Sequence, residues 1–198
     1  MLLSWVMLSG GVMTPILSIM AIYLFRMGEL NKKRLTIPGH VKENLTLRLF
    51  VLAGTVLLAG GIFEFVWRRE HLRWVPFIIG WLCGIGSFLV RRRAIEALGK
   101  FWSLHVEIRD HHEFVRSGPF RWVRHPTYFS MILELLAGGL VLNAWFTLAV
   151  VACLFLPTLA YRIKIEEAAL VQKFGAAYED YRKSTPMLIL YRIPRSNA

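Results

Sequence analysis

Five long apolar runs constrain this chain more than any other feature of its sequence. A helix that crosses a bilayer needs about 20 mostly apolar residues, and only helices or closed barrels satisfy their backbone polar groups in lipid. Because apolar residues are continuous here rather than alternating, we predict an all-α integral membrane protein with five transmembrane helices. The predicted spans are Leu2–Phe25, Leu49–Trp67, Trp74–Val90, Thr127–Asn143 and Trp145–Tyr161.

Basic residues flank these runs unevenly. The chain has 24 Lys and Arg against 13 Asp and Glu, and all but three of the basic residues fall in segments 26–48, 91–124 and 162–198. Five spans place these segments on one side, which the positive-inside rule assigns to the cytoplasm. We therefore expect the N-terminus outside and the C-terminus inside. Positive charge beside apolar runs favours anionic lipid headgroups as partners and argues against nucleic acid.

Polar residues are concentrated in the second half of the chain. This distribution predicts an N-terminal three-span membrane bundle at residues 1–90 and a second region at 91–198. The second region contains a helical hairpin (127–161), which has to be tight because almost nothing separates its two runs, followed by a cytosolic tail. Any site is expected at the cytosolic face, formed by the 91–128 segment and the tail.

One candidate site is the segment Gly118–Tyr128, which reads G-P-F-R-W-V-R-H-P-T-Y. Pro126 suits the first turn of a helix. The backbone N–H groups of Thr127 and Tyr128 would then form an anion site at the helix N-terminus, with His125 beside them as a titratable donor. The alternative is a basic membrane anchor with interfacial aromatic residues.

A second candidate is Tyr161–Glu167, which continues the fifth run as Y-R-I-K-I-E-E. Arg162 and Glu166 are four residues apart and share a helix face. They are either a surface ion pair of small energetic value or functional charges at the membrane surface. In the functional interpretation Glu166 holds a cation or a ribose, and Arg162 pairs with a carboxylate or phosphate.

The segment Phe101–Val115 holds three histidines and three acids, a composition that can indicate a metal site. Its spacing matches no zinc motif, so we predict no metal and expect a polar loop or short strand that lines a cofactor.

Two acids and two cysteines lie inside the apolar runs. Glu64 is expected to snorkel toward Arg68 or Arg69. Glu134 has no such neighbour, so we expect a pocket residue or a protonated one. Cys83 and Cys153 are interpreted as small buried hydrophobes.

Three motifs in order carry a resemblance to a known family. They are R-H-P-T-Y at Arg124–Tyr128, E-E at Glu166 and Glu167, and F-G-A-A-Y-E-D-Y at Phe174–Tyr181. Over Leu98–Pro186 the chain resembles the integral-membrane methyltransferases of the isoprenylcysteine carboxyl methyltransferase family, which are related to phospholipid N-methyltransferases.

The resemblance implies S-adenosylmethionine as methyl donor, with S-adenosylhomocysteine as product, and a lipophilic substrate that enters from the bilayer. It makes 91–198 the methyltransferase region and implies a prenylcysteine-like carboxylate as acceptor. It implies catalytic roles for Arg162 and Glu166, with Arg162 on the substrate. Phe120 stands where the family often has Tyr. The residues implied to bind the cofactor are His105, His112, Glu113, Phe114, Val115, Phe120, His125, Pro126, Thr127, Tyr128 and Glu166.

Three other functions stay open at this point. A phospholipid or amine N-methyltransferase would need a base to remove a proton from the acceptor. A sterol-reductase-like enzyme would need basic residues for the 2′-phosphate of NADPH, and Arg109, Arg116 and Arg121 are available. A membrane scaffold would bind neither cofactor.

Overall fold

The chain forms six α-helices and a short strand pair within the residues that the structure describes. The structure is a computed structural model, and it describes residues 2–30, 40–41, 44–102, 107–108 and 115–189. The helices are α1 (Leu2–Leu30), α2 (Leu45–Trp67), α3 (Trp74–Leu98), α4 (Pro126–Val141), α5 (Trp145–Phe174) and α6 (Ala176–Ser184). Two 3-10 turns cover Gly99–Phe101 and Gly118–Arg121. Strands β1 (His40–Val41) and β2 (Glu107–Ile108) pair antiparallel.

Four helices are long and apolar enough to cross a membrane, which agrees with an all-helical, multi-pass membrane protein. They are α1 over Gly11–Glu29, together with α2, α3 and α5. The fourth predicted span corresponds to α4, an apolar helix of 16 residues. This is slightly below the usual range for a span, so the fifth crossing stays a prediction.

Three helices continue well beyond their apolar runs. α1 ends at Leu30, α3 at Leu98 and α5 at Phe174. Hydropathy reports contact with lipid, whereas the helix continues as long as its residues favour helical backbone. The α3 extension reads R-R-R-A-I-E-A-L, rich in strong helix formers. α3 and α5 each end at a glycine in the left-handed region, Gly99 with φ 50° and Gly175 with φ 54°.

The five long helices run alternately up and down, so the bundle has two ends. The end with α6 and the last turns of α1, α3 and α5 is called here the α6 end. The other, the hairpin end, carries the α4–α5 connection, which confirms the predicted tight hairpin. Asn143 takes φ 51° there, a left-handed conformation that Asn tolerates. The Ala144 N–H closes the turn on the Gly139 carbonyl at 2.9 Å.

Glycines bring the helices into close contact within this one chain. A Cβ on Gly80 of α3 would lie 2.9 Å from the backbone nitrogen of Val141 in α4. A Cβ on Gly139 would lie 2.7 Å from Leu148 Cδ2 in α5. Small residues permit this approach between membrane helices. They hold α3, α4 and α5 together as the wall that positions the site.

A buried apolar core joins α2, α4 and α5, and exposed apolar side chains cover the outer surface. Leu57, Leu135 and Phe155 belong to this core. Cys153 is exposed on α5 and Cys83 is half-buried, so the expectation that both are buried is wrong. A membrane helix is apolar on its lipid-facing side as well, and a small apolar residue fits either position.

Candidate functional site

A cavity of about 610 Å³ opens at the α6 end of the bundle. Its deeper wall is apolar, with Phe50, Leu57, Met131 and Phe155 from α2, α4 and α5. Its mouth is polar. Seven predicted site residues line it: Val115, Phe120, His125, Thr127, Tyr128, Arg162 and Glu166.

The other predicted site residues fall into two groups. Pro126 is buried and forms the first residue of α4, as its fixed φ favours. The remaining four predictions lie outside the described residues: His105, His112, Glu113 and Phe114. β2, within the histidine-rich segment, agrees with the predicted short strand.

Arg162, Tyr128 and Glu166 form a connected network in the cavity wall. Arg162 is 5% exposed. Its Nε donates to Tyr128 Oη at 3.0 Å and its Nη1 donates to Thr46 Oγ1 at 2.8 Å. The Tyr128 hydroxyl in turn donates to Glu166 Oε2. A guanidinium this deeply buried does not fit a surface ion pair, and beside a cavity it is suited to bind an anionic ligand group.

His125 is held by Glu167, the neighbour of Glu166. Glu167 Oε1 lies 3.1 Å from His125 Nε2 and 2.9 Å from Arg124 Nη2. Adjacent residues on a helix point about 100° apart, so the two glutamates serve different partners. Glu167 is thus a site residue whose role could not be predicted from the sequence, although it belongs to the E-E motif.

α2 supplies two site residues that the sequence did not indicate. Thr46 accepts from Arg162, and the Phe50 ring lies with its centroid 5.9 Å from Arg162 Cζ. Both lie in the N-terminal part of α2, a run with no recognisable motif. No signal in a single sequence connects them to α5.

The segment after α6 packs along the start of α4. The Arg124 N–H donates to the Pro186 carbonyl at 2.8 Å, and the His125 N–H donates to the Met187 carbonyl at 3.1 Å. From α6, Tyr178 and Tyr181 line the cavity, and burial raises the pKa of both phenols. They therefore remain protonated donors at neutral pH, and Tyr181 Oη donates to the Phe120 carbonyl at 2.6 Å.

The two acids inside the apolar runs have cationic partners. Glu134 forms a hydrogen-bonded ion pair with Arg91 and lies 3.4 Å from Arg26 Nε, at the cavity wall. The pocket interpretation of Glu134 is therefore confirmed. Glu64 pairs with Arg68 at 3.0 Å, as expected.

The mouth of the cavity suits a ligand with both an anionic and a cationic group. The N–H groups in the first turn of α4, on Thr127 and Tyr128, have no carbonyl partner within the helix and favour an anion. The Tyr128 ring and the Glu166 carboxylate favour a cation.

Comparisons with known proteins find similar sequences for the part of the chain that contains most of α3, all of α4 and most of α5. Residues 79–172 match the model of the isoprenylcysteine carboxyl methyltransferase (ICMT) family. The uncharacterized protein YpbQ of Bacillus subtilis is 32% identical over 95 residues, 46% of this chain and 56% of that protein. The protein-S-isoprenylcysteine O-methyltransferase of Schizosaccharomyces pombe is 30% identical over 109 residues, 54% of this chain and 46% of that protein.

These matches span about half the length of each curated relative. A solved structure of the eukaryotic intramembrane Ras methyltransferase ICMT is also similar. It has a TM-score of 0.48 and 21% identity, covering 76% of this chain and 69% of that one.

Proposed function

Because residues 79–172 match the model of the isoprenylcysteine carboxyl methyltransferase family, we propose that this chain is a membrane methyltransferase. It uses S-adenosylmethionine and methylates a carboxylate on a lipophilic, prenylcysteine-like substrate. The observation that carries the proposal is the Arg162–Tyr128–Glu166 network, with Arg162 and Tyr128 buried, at the mouth of an apolar cavity.

The residues around the mouth fit the methyl donor, which supplies an electrophilic methyl group on a sulfonium when bound. The first-turn amides of α4 and His125 would hold its carboxylate. The Tyr128 ring and Glu166 would face its positive charge. Phe120, which replaces the family's common Tyr, packs against the ligand through its ring alone. Val115 also lines the cavity.

Arg162 would hold the acceptor. Its guanidinium would pair with the substrate carboxylate and aim one oxygen at the methyl group, while the apolar cavity takes the lipophilic chain. A carboxylate is ionised at neutral pH and needs no base, so alignment and exclusion of water supply most of the catalysis. Thr46 and Tyr128 keep the guanidinium in place.

The α6 end would face the cytoplasm, because it collects most of the basic residues. Anionic lipid headgroups would then contact exposed arginines such as Arg92 and Arg121.

Calorimetric titration of the purified protein with S-adenosylhomocysteine, followed by NADPH, tests the proposal. We expect S-adenosylhomocysteine to bind the wild-type protein and not the Glu166→Ala variant. The matched control is Glu179→Ala, which removes an exposed acid and should leave binding unchanged. Binding of NADPH without binding of S-adenosylhomocysteine would overturn the proposal and indicate a reductase. Binding of neither ligand by folded protein in lipid nanodiscs would overturn it in favour of a scaffold.

A further inference from the structure

A second cavity, of about 240 Å³, lies between α1 and α3. It shares Arg26, Arg91 and Glu134 with the wall of the first cavity, and the proposed function assigns no role to these three residues. Three aromatic side chains line it: Phe25 from α1, and Trp81 and Phe88 from α3. Phe25 is 69% exposed and Ile85 is 49% exposed, so the cavity opens on the outer surface of the bundle. In a membrane protein that surface faces lipid.

Four alternating charges form the polar end of this cavity. Glu29 Oε2 lies 3.6 Å from Arg26 Nη1 and 3.5 Å from Arg91 Nη1. Glu134 contacts the same two arginines from the other side. Two positive and two negative groups give a ring with no net charge. Arg26 and Arg91 follow the first and third apolar runs, which places the ring at the level of lipid headgroups.

Glu29 leaves one polar atom unsatisfied in this ring. Its side chain is 7% exposed, and its Oε2 has no hydrogen-bond partner among the residues that the structure describes. The two arginine contacts of this oxygen are too long for good hydrogen bonds. The oxygen is therefore paired electrostatically with two guanidinium groups but accepts no close hydrogen bond. A buried carboxylate oxygen is costly to leave without one, so a further N–H donor would stabilise it.

We propose that this cavity binds a phospholipid with an ethanolamine headgroup. The lipid ammonium donates to Glu29 Oε2 and faces the aromatic rings, which attract cations. The lipid phosphate lies beside Arg26, whose side chain is 20% exposed, and one acyl chain follows the flank between α1 and α3. A zwitterionic headgroup complements a ring of balanced charge better than an anionic one. The lipid is bound at this site and not converted.

Thermal unfolding and native mass spectrometry of the detergent-purified protein test this site. The probes are dioleoyl lipids with ethanolamine, N,N-dimethylethanolamine, choline or glycerol headgroups, in the absence of methyl donor. Choline carries no N–H group, so we expect roughly tenfold weaker retention of the choline lipid than of the ethanolamine lipid. The dimethyl lipid keeps one N–H in its protonated form and should resemble ethanolamine.

The Glu29→Gln variant should lose this discrimination, and Glu96→Gln, an exposed acid on α3, should keep it. Equal retention of ethanolamine and choline lipids by wild type would overturn the proposal even if the variant fails to fold. Preference for the lipid with the glycerol headgroup, which is anionic, would show instead that the net positive charge of the protein governs lipid binding. Discrimination that persists in a folded Glu29→Gln protein would overturn the role of Glu29.

Discussion

The two ends of the bundle both place a carboxylate near an arginine, but the carboxylate has different partners at each end. At the α6 end, Glu166 and Arg162 meet through the Tyr128 hydroxyl and line a cavity. At the hairpin end, Glu64 accepts the N–H groups of Phe146 at 3.2 Å and Thr147 at 2.7 Å. Neither Glu64 nor its neighbours line either of the two cavities described above.

At the hairpin end, side chains form hydrogen bonds with one another and with the first backbone N–H groups of α5. Asn143 Nδ2 donates to Glu70 Oε2 at 2.9 Å, and Trp145 Nε1 donates to Asn143 Oδ1 at 2.7 Å. Glu64 stabilises the start of α5 because a carboxylate accepts from the unpaired first-turn amides there. A charged group that borders a cavity is therefore a candidate site residue. A buried charged group whose hydrogen bonds are made by backbone N–H groups is a structural contact.

The largest effect is expected for Arg162→Ala at the α6 end. Losing the proposed carboxylate partner should lower kcat/KM by roughly a hundredfold or more, while S-adenosylhomocysteine affinity stays within a few-fold. Steady-state kinetics and calorimetry on the same preparation measure both quantities.

The matched control for that variant is Arg92→Ala, which removes an exposed arginine that pairs with Glu96 at 3.0 Å. Equal loss of cofactor affinity in Arg162→Ala and Glu166→Ala would contradict the separate roles assigned to the two residues.

At the hairpin end, Glu64→Ala should destabilise the fold without affecting the site. The amides of Phe146 and Thr147 lose their acceptor, which is expected to cost about 1–3 kcal/mol. A lower thermal unfolding midpoint, with unchanged S-adenosylhomocysteine affinity in the folded protein, is the expected result. A loss of affinity with an unchanged midpoint would show that the two ends are not separable.

Part of this contrast could be predicted from sequence. The apolar runs, the tight hairpin and the Glu64–Arg68 pair follow from hydropathy and helix spacing, and the R-H-P-T-Y motif predicted residues of the cavity mouth. The ends of α3 and α5 could not be predicted from hydropathy, because it marks where lipid contact ends. Thr46 could not be linked to Arg162, since 116 residues separate them and packing alone brings them together.

The Tyr128→Phe variant tests whether the hydroxyl bridge at the α6 end takes part in turnover. The substitution keeps the ring but removes the hydroxyl that joins Arg162 and Glu166. We expect kcat to fall about tenfold, the equivalent of one hydrogen bond to a charged group. The thermal unfolding midpoint should also fall, because the buried Arg162 Nε loses its acceptor. Tyr161→Phe, an exposed tyrosine on α5, is the control. An unchanged kcat would mean that the hydroxyl bridge has no part in turnover.

Thr46→Val should have the smallest effect. Valine matches threonine in shape but cannot accept from Arg162 Nη1, so the guanidinium keeps its bond to Tyr128 and loses one support. A two- to fourfold lower kcat/KM is expected, roughly the lower end for a single hydrogen bond. Thr158→Val, which removes a hydroxyl bonded to the Leu154 carbonyl in its own helix, should leave kcat/KM unchanged. If both variants behave alike, Thr46 does not support Arg162.

α5 carries the apolar wall and the polar mouth of the cavity on one uninterrupted helix. Phe155 in the apolar wall and Arg162, the proposed partner of the acceptor carboxylate, are seven residues apart, which corresponds to roughly 10 Å along the helix axis at ~1.5 Å per residue. An α-helix has a fixed rise per residue, and α5 continues through Pro157 without a break, so the helix keeps these two side chains at a nearly constant separation. Under the proposed function, an acceptor would have to place its carboxylate and its lipophilic chain at that separation, and selection among substrates would then depend on length as much as on chemistry.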